Sequence, residues 1–166
     1  MNRPLSFDPI ARAAQLWEDR IGPADTMAAV TGLMRVQQIV QSAVDGALKG
    51  HGLTFARYEA LVLLTFAKRT NLPMRVMGER LQLHPTSVTN IVDRLERDGL
   101  VKRVPHPTDR RTTLVEITDD GRQRREEATK AVTSIDFGLV GLTEKQTEQL
   151  IELLTKVRKA AGDFTS

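Results

Sequence analysis

Along most of the chain, apolar residues return every three to four positions, and the spacing changes to alternation only once. Ile10, Ala13, Ala14 and Trp17 fall 3, 1 and 3 residues apart, so the first twenty residues predict a short helix, broken by Gly22-Pro23. From Asp25, expected as an N-cap, the stripe Met27, Val30, Met34, Val40, Val44 and Leu48 predicts a helix of about 24 residues ending at Gly50 or Gly52. Apolar residues on both its sides, among them Leu33, Val36 and Ile39, imply more than one packing partner. Thr54 is expected to cap a helix carrying Phe55, Tyr58, Leu61, Val62 and Phe66.

The segment from Leu72 to Ile117 has a denser grammar. Leu72-Pro73 predicts a helix start, because proline is tolerated in a first turn, and Val76, Met77 and Leu81 continue that helix. A tight turn, Gln82-Leu83-His84, leads to a helix opened by Pro85. Its residues Val88, Ile91, Val92 and Leu95 occupy i, i+3, i+4 and i+7, which leaves Thr86, Ser87, Thr89, Asn90, Asp93 and Arg94 on the opposite face. Gly99 supplies a left-handed stop, and two β-rich runs, 100–104 and 112–117, flank a charged tip from Pro105 to Arg111. Thr118 caps a further helix, expected to end at Gly138 and Gly141, and Thr143 with Gln146 forms a capping box for the last. Short helix, turn, amphipathic helix and basic-tipped hairpin together predict a winged helix-turn-helix. A helix about 10–12 Å wide enters a DNA major groove, and the hairpin places an arginine in the adjacent minor groove.

These residues resemble the MarR-type (multiple-antibiotic-resistance) regulators. The likeness runs from Gly52-Leu53-Thr54 through Met77-Gly78-Glu79-Arg80-Leu81, Thr86-Ser87-Val88-Thr89 and Val92-Asp93-Arg94-Leu95-Glu96. It continues through Gly99-Leu100-Val101 and Asp109-Arg110-Arg111 to Ile117-Thr118 and Gly121, and spans roughly residues 25–162. The Asp109-Arg110-Arg111 tip in register after Gly99-Leu100-Val101 is its most specific part.

The resemblance implies a mainly α fold with a small β-hairpin wing and N- and C-terminal dimerisation helices. Residues 1–22 would be an N-terminal extension helix, 23–52 and 120–166 the dimerisation region, and 53–119 the DNA-binding domain. It implies a homodimer on a pseudopalindromic double-stranded operator, acting as a repressor released by a small organic, aromatic effector. Pro85, Thr86, Ser87, Thr89, Asn90 and Arg94 would face the groove, with Arg103 and Arg111 among the basic DNA contacts. Arg110 would enter the minor groove, and Asp109 would orient it or a neighbouring basic residue. His84 stands where such proteins often carry a short polar cap, and is either a turn residue or a contact to the DNA backbone. Trp17, Met34, Gln38 and Tyr58 are candidates to line an effector pocket, with core packing the alternative for each. A urate-responsive branch carries aspartate and arginine where Glu59 and Ile91 stand here, and Ile91 argues against urate.

Composition narrows the alternatives. Hydrophobic residues make up 40% of the 166, charged residues 27% and aromatics 4%, a balance suited to a helix-rich soluble protein. No run approaches the roughly 18 uncharged apolar residues of a membrane span, and residues 1–10 carry no secretory signal, so a cytoplasmic protein at operator DNA is expected. The absence of cysteine removes disulfides, thiolate metal sites and thiol-based peroxide sensing. Three scattered histidines without i, i+4 spacing predict no metal, and no cofactor is expected. Net charge is +2 over residues 1–70, +3 over 71–125 and −2 over 126–166, which favours the middle segment as the polyanion contact. An enzyme is disfavoured, since there is no Ser-His-Asp order and no glycine-rich phosphate loop. A winged helix that only binds proteins is the remaining rival.

Overall fold

The computed structural model describes residues 5–109 and 111–165. Over these residues the chain forms α1 (Pro9–Arg20), α2 (Asp25–Lys49), α3 (Phe55–Phe66), β1 (Asn71–Pro73), α4 (Met74–Leu81), α5 (Pro85–Arg97), β2 (Val101–Pro105), β3 (Thr113–Ile117), α6 (Asp119–Thr133) and α7 (Glu144–Ala160), with a 3-10 turn at Asp136–Gly138. The mainly α architecture with a hairpin wing is the one the sequence predicts. None of these helices is long and apolar enough to cross a membrane.

Local chemistry explains most boundaries. Asp8 Oδ1 accepts from the Ile10 N–H at 2.9 Å and so caps α1. Thr118 Oγ1 does the same for α6, accepting from Gly121 N–H at 3.0 Å, while donating to Gly99 O at 2.8 Å. The expected capping box at Thr143 and Gln146 opens α7. Three expectations fail. The N-cap of α2 is Ala24, and Asp25 is its first helical residue, placed where an acidic side chain favours the helix dipole. Leu72-Pro73 does not start a helix: Asn71–Pro73 is a third strand, paired Leu72↔Val115 with β3, and the helix begins one residue later. α6 stops at Thr133, well before Gly138, and the chain then passes through a 3-10 turn in which Asp136 and Phe137 take positive φ.

The sheet is antiparallel in the order β1-β3-β2, with Arg103 opposite Val115. One core runs beneath it. Val88, Val92 and Leu95 of α5 are buried with Leu61 and Leu64 of α3, Met77 of α4 and Val115 and Ile117 of β3, and Val44 and Leu48 bring the end of α2 into the same cluster. Ala128 and Val132 attach α6. Where the hairpin feeds α6, the backbones approach so closely that only glycine fits. A Cβ on Gly121 would lie 2.0 Å from Leu100 O and 2.8 Å from Ile117 Cγ1. Gly121→Ala should therefore lower folding stability by about 1–3 kcal/mol, read from urea unfolding, and an unchanged midpoint would disprove this contact.

Candidate DNA-binding surface

The groove-facing candidates all lie on α5 or the residue before it, and the reason is the apolar stripe. Burial of Val88, Val92 and Leu95 turns the helix so that Pro85, Thr86, Ser87, Thr89, Asn90 and Arg94 are exposed on its other side. His84 is the N-cap. Its Nδ1 accepts from the Thr86 N–H at 3.3 Å, so the imidazole does the work of the short polar residue expected there. Thr89 Oγ1 donates back to Pro85 O at 3.1 Å, while the Asn90 and Arg94 side chains make no hydrogen bond or ion pair among the described residues.

Arg103 is half-buried and engaged within the protein. From the start of the wing its guanidinium reaches back to α5, pairing with Asp93 through Nη2 and with Glu96 through Nη1. The Arg103 N–H also donates to Glu96 Oε1 at 3.0 Å. Burial pulls the Arg103 pKa down, but the two carboxylates outweigh it and hold the group above its ordinary value. Arg103 is thus a strut between wing and recognition helix, and it makes functional residues of Asp93 and Glu96, which sequence reading passed over. The available signal was acids three apart on the side of a helix followed by a hairpin arginine.

At the wing tip, Asp109 organises the backbone. Its carboxylate accepts from Thr112 Oγ1 at 2.6 Å and from the Arg111 N–H at 2.9 Å, and these bonds hold it below the ordinary aspartate value. Arg111 is exposed. Arg110 lies outside the described residues. A groove of about 540 Å³ between α4 and α5, lined by Met74, Gly78, Gln82, Pro85 and Thr89, adjoins the recognition face.

The four effector candidates do not form one pocket. Met34 and Gln38 share a shallow concavity of about 470 Å³ with Leu5, Phe7 and Ile10, and Trp17 is not part of its lining. Tyr58 is buried on α3 with its hydroxyl 3.1 Å from Thr129 Oγ1 on α6. It also edges a separate cavity of about 290 Å³, together with Phe55, Glu59, Val62, Leu81 and Phe137. Burial raises the Glu59 carboxyl above its ordinary value.

The MarR family model matches residues 51–112, the span from the turn before α3 through the wing tip. Sco5413, a MarR family transcriptional regulator from Streptomyces coelicolor, superposes at TM-score 0.77 with 52% identity, over 85% of this chain and 98% of its own. The chain belongs to the MarR family. Its relatives include the HTH-type transcriptional regulator MhqR from Bacillus subtilis (strain 168), 29% identical over 133 residues, which are 80% of this chain and 90% of MhqR. CouR from Rhodococcus jostii RHA1, solved with p-coumaroyl-CoA, shares 29% identity at TM-score 0.69, over 86% of this chain and 95% of CouR. This MarR protein is accordingly a DNA-binding transcriptional regulator and not an enzyme.

Two outcomes test the electrostatics. Arg103→Ala should cost about 1 kcal/mol of stability and speed exchange of the His106 amide, which bonds Thr112 O across the hairpin, whereas Arg94→Ala should change neither. Equal behaviour of the two variants would remove the strut. For Glu59, a folded-state pKa above the unfolded one means that the carboxyl's stabilising contribution is full below about pH 4 and declines as pH rises through the raised value. Glu59→Gln should therefore shift the urea midpoint upward at pH 7 and lose that advantage near pH 3.5. The same gain at both pH values would contradict the assignment.

Proposed function

We propose that the protein is a homodimeric repressor whose two recognition helices read a pseudopalindromic operator, and that a small aromatic effector releases it. The observation that carries the dimer is an apolar groove of about 680 Å³ between α2 and α7, lined by Leu33, Val36, Ile39, Leu150, Leu153 and Val157. No residue of α7 is buried, and Leu153 and Val157 are 59% and 63% exposed. Monomeric proteins rarely leave so continuous an apolar face open, and obligate homodimer interfaces resemble a core cut in half. In this reading 23–52 and 120–166 form the dimerisation region, 53–119 form the DNA-binding domain, and 1–22 extend it. The regulator then acts in the cytoplasm, bound to operator DNA.

Pro85, Thr86, Ser87, Thr89 and Asn90 would meet base edges or the sugar-phosphate backbone, with His84, Arg94 and Arg111 toward the phosphates and Arg110 in the minor groove. Two recognition helices on one duplex face stand about 34 Å apart. For the effector, the cavity beside Tyr58 and Glu59 supports the reading best. It lies where α3 and α4 of the winged part meet Phe137, so a ligand there bears on the angle between the two regions. Its aromatic walls suit a flat phenolic ring, whose hydroxyl can donate to Glu59. CouR supplies a relative with an aromatic acyl ligand.

Light scattering should give twice 18.5 kDa, and Leu153→Lys should shift the protein toward monomer while weakening binding to a duplex enriched from random DNA. On that duplex Asn90→Ala should cost about 1–3 kcal/mol and have little effect on random sequence. Arg110→Ala should weaken binding to both and reduce the salt slope by about two per dimer. A wild-type monomer that binds the duplex tightly would overturn the dimer reading, and an unchanged salt slope would overturn the wing assignment.

A further inference from the structure

α7 buries none of its residues, yet its C-terminal end is firmly turned. Past Ala160 the chain reverses at Gly162, with φ +75, and the Asp163 N–H donates to Arg158 O at 3.1 Å. This brings Asp163 between two partners. Its Oδ2 accepts from Arg158 Nε at 2.6 Å, and its Oδ1 accepts from Gln82 Nε2 at 2.8 Å, across 81 residues of sequence. The Arg158 guanidinium also covers the ring of Phe164, 5.3 Å from its centroid, so the cation is held from two directions.

Gln82 is no ordinary surface residue. It occupies the turn between α4 and the recognition helix in the left-handed conformation, at φ 53 and ψ 43, which a side chain with a Cβ adopts reluctantly. Its N–H and that of Leu83 both return to Gly78 O, the latter at 2.9 Å, so the Gln82 backbone sets the direction in which α5 departs from α4. Only its side chain reaches outside the helix-turn-helix, and it reaches Asp163.

Resting on the DNA-binding reading above, we propose that Gln82 and Asp163 are positioning residues for operator recognition. The Gln82–Asp163–Arg158 chain is a latch that ties the end of α7 to the helix-turn-helix turn and so fixes where the recognition helix stands relative to the dimerisation helices. Without the latch, the winged part is less tightly held and the protein tolerates wrong half-site spacing.

The test is a cycle in the full-length protein. Gln82→Glu sets two carboxylates against each other, Asp163→Ala removes the acceptor, and Gln82→Glu with Asp163→Asn restores a pair in which the asparagine amide donates to the glutamate. Amide exchange is read at Leu83. Affinity is read on a duplex enriched from random DNA by the wild-type protein, and on the same duplex with one base pair inserted between its half-sites. Each single variant should speed Leu83 exchange about tenfold and cut the preference for correct spacing at least about fivefold. The double variant should recover most of both. Wild-type exchange and wild-type spacing preference in the single variants, or a double variant no better than Gln82→Glu, would overturn the proposal. If no duplex is enriched, the DNA-binding reading and the operator role fall together, whereas unchanged Leu83 exchange alone removes the latch.

Discussion

The polar face of the recognition helix exists because Val88, Val92 and Leu95 are fully committed to the core, against Leu61, Leu64, Met77 and Val115. Those three side chains set the rotation of α5 about its own axis. Turned by one residue, about 100°, the helix would drive Thr89, Asp93 and Glu96 into hydrocarbon in place of Val88, Val92 and Leu95, where unpaired carboxylates cost far more than the rotation could return. Exposure of the polar side chains of α5 is therefore a consequence of core packing. The same cluster reaches into Val44 and Leu48 of α2 and Ala128 and Val132 of α6, so the winged part and the long helices share one interior.

The wing is held by a different kind of force. Backbone pairing of β2 with β3 makes the hairpin, and the left-handed Gly99 directs the chain into it, but neither fixes its angle to α5. Arg103 does so by pairing with Asp93 and Glu96 across the gap. These pairs are partly solvated, and each is modest in energy. Geometry is what they contribute, together with neutralisation of two negative charges on the flank of α5.

α2 and α7 show the opposite condition, with apolar residues left facing outward. Their exposed leucines and valines form an apolar face that one chain leaves uncovered. Asp163 lies at the far end of this region and bonds Gln82, so the apolar face and the turn that precedes α5 are connected through about one helix length of α7. In the proposed dimer this connection would turn a displacement of one subunit into a change in half-site spacing.

Where a feature is closed by neighbours in sequence, it was legible before the structure. The caps at Thr118 and Thr143, the left-handed Gly99, the amphipathic 85–97 segment and the hairpin around Asp109 each depend on contacts within a few residues, which spacing and residue type reveal. The features decided only by the fold are closed between distant residues. Three-residue β1 carries a proline and no alternating pattern, and is a strand solely because β3 offers Val115 to Leu72. Arg103 read as a DNA contact until Asp93 and Glu96 came within reach, and Trp17, Met34, Gln38 and Tyr58 read as one lining although only Met34 and Gln38 share a concavity and Tyr58 edges another. Sequence by itself determined which residues are apolar, capped or turned, since those choices cost free energy locally. Which charges neutralise one another, which aromatics share a cavity and which helix faces stay unpaired depend on distances that exist only after the chain has folded.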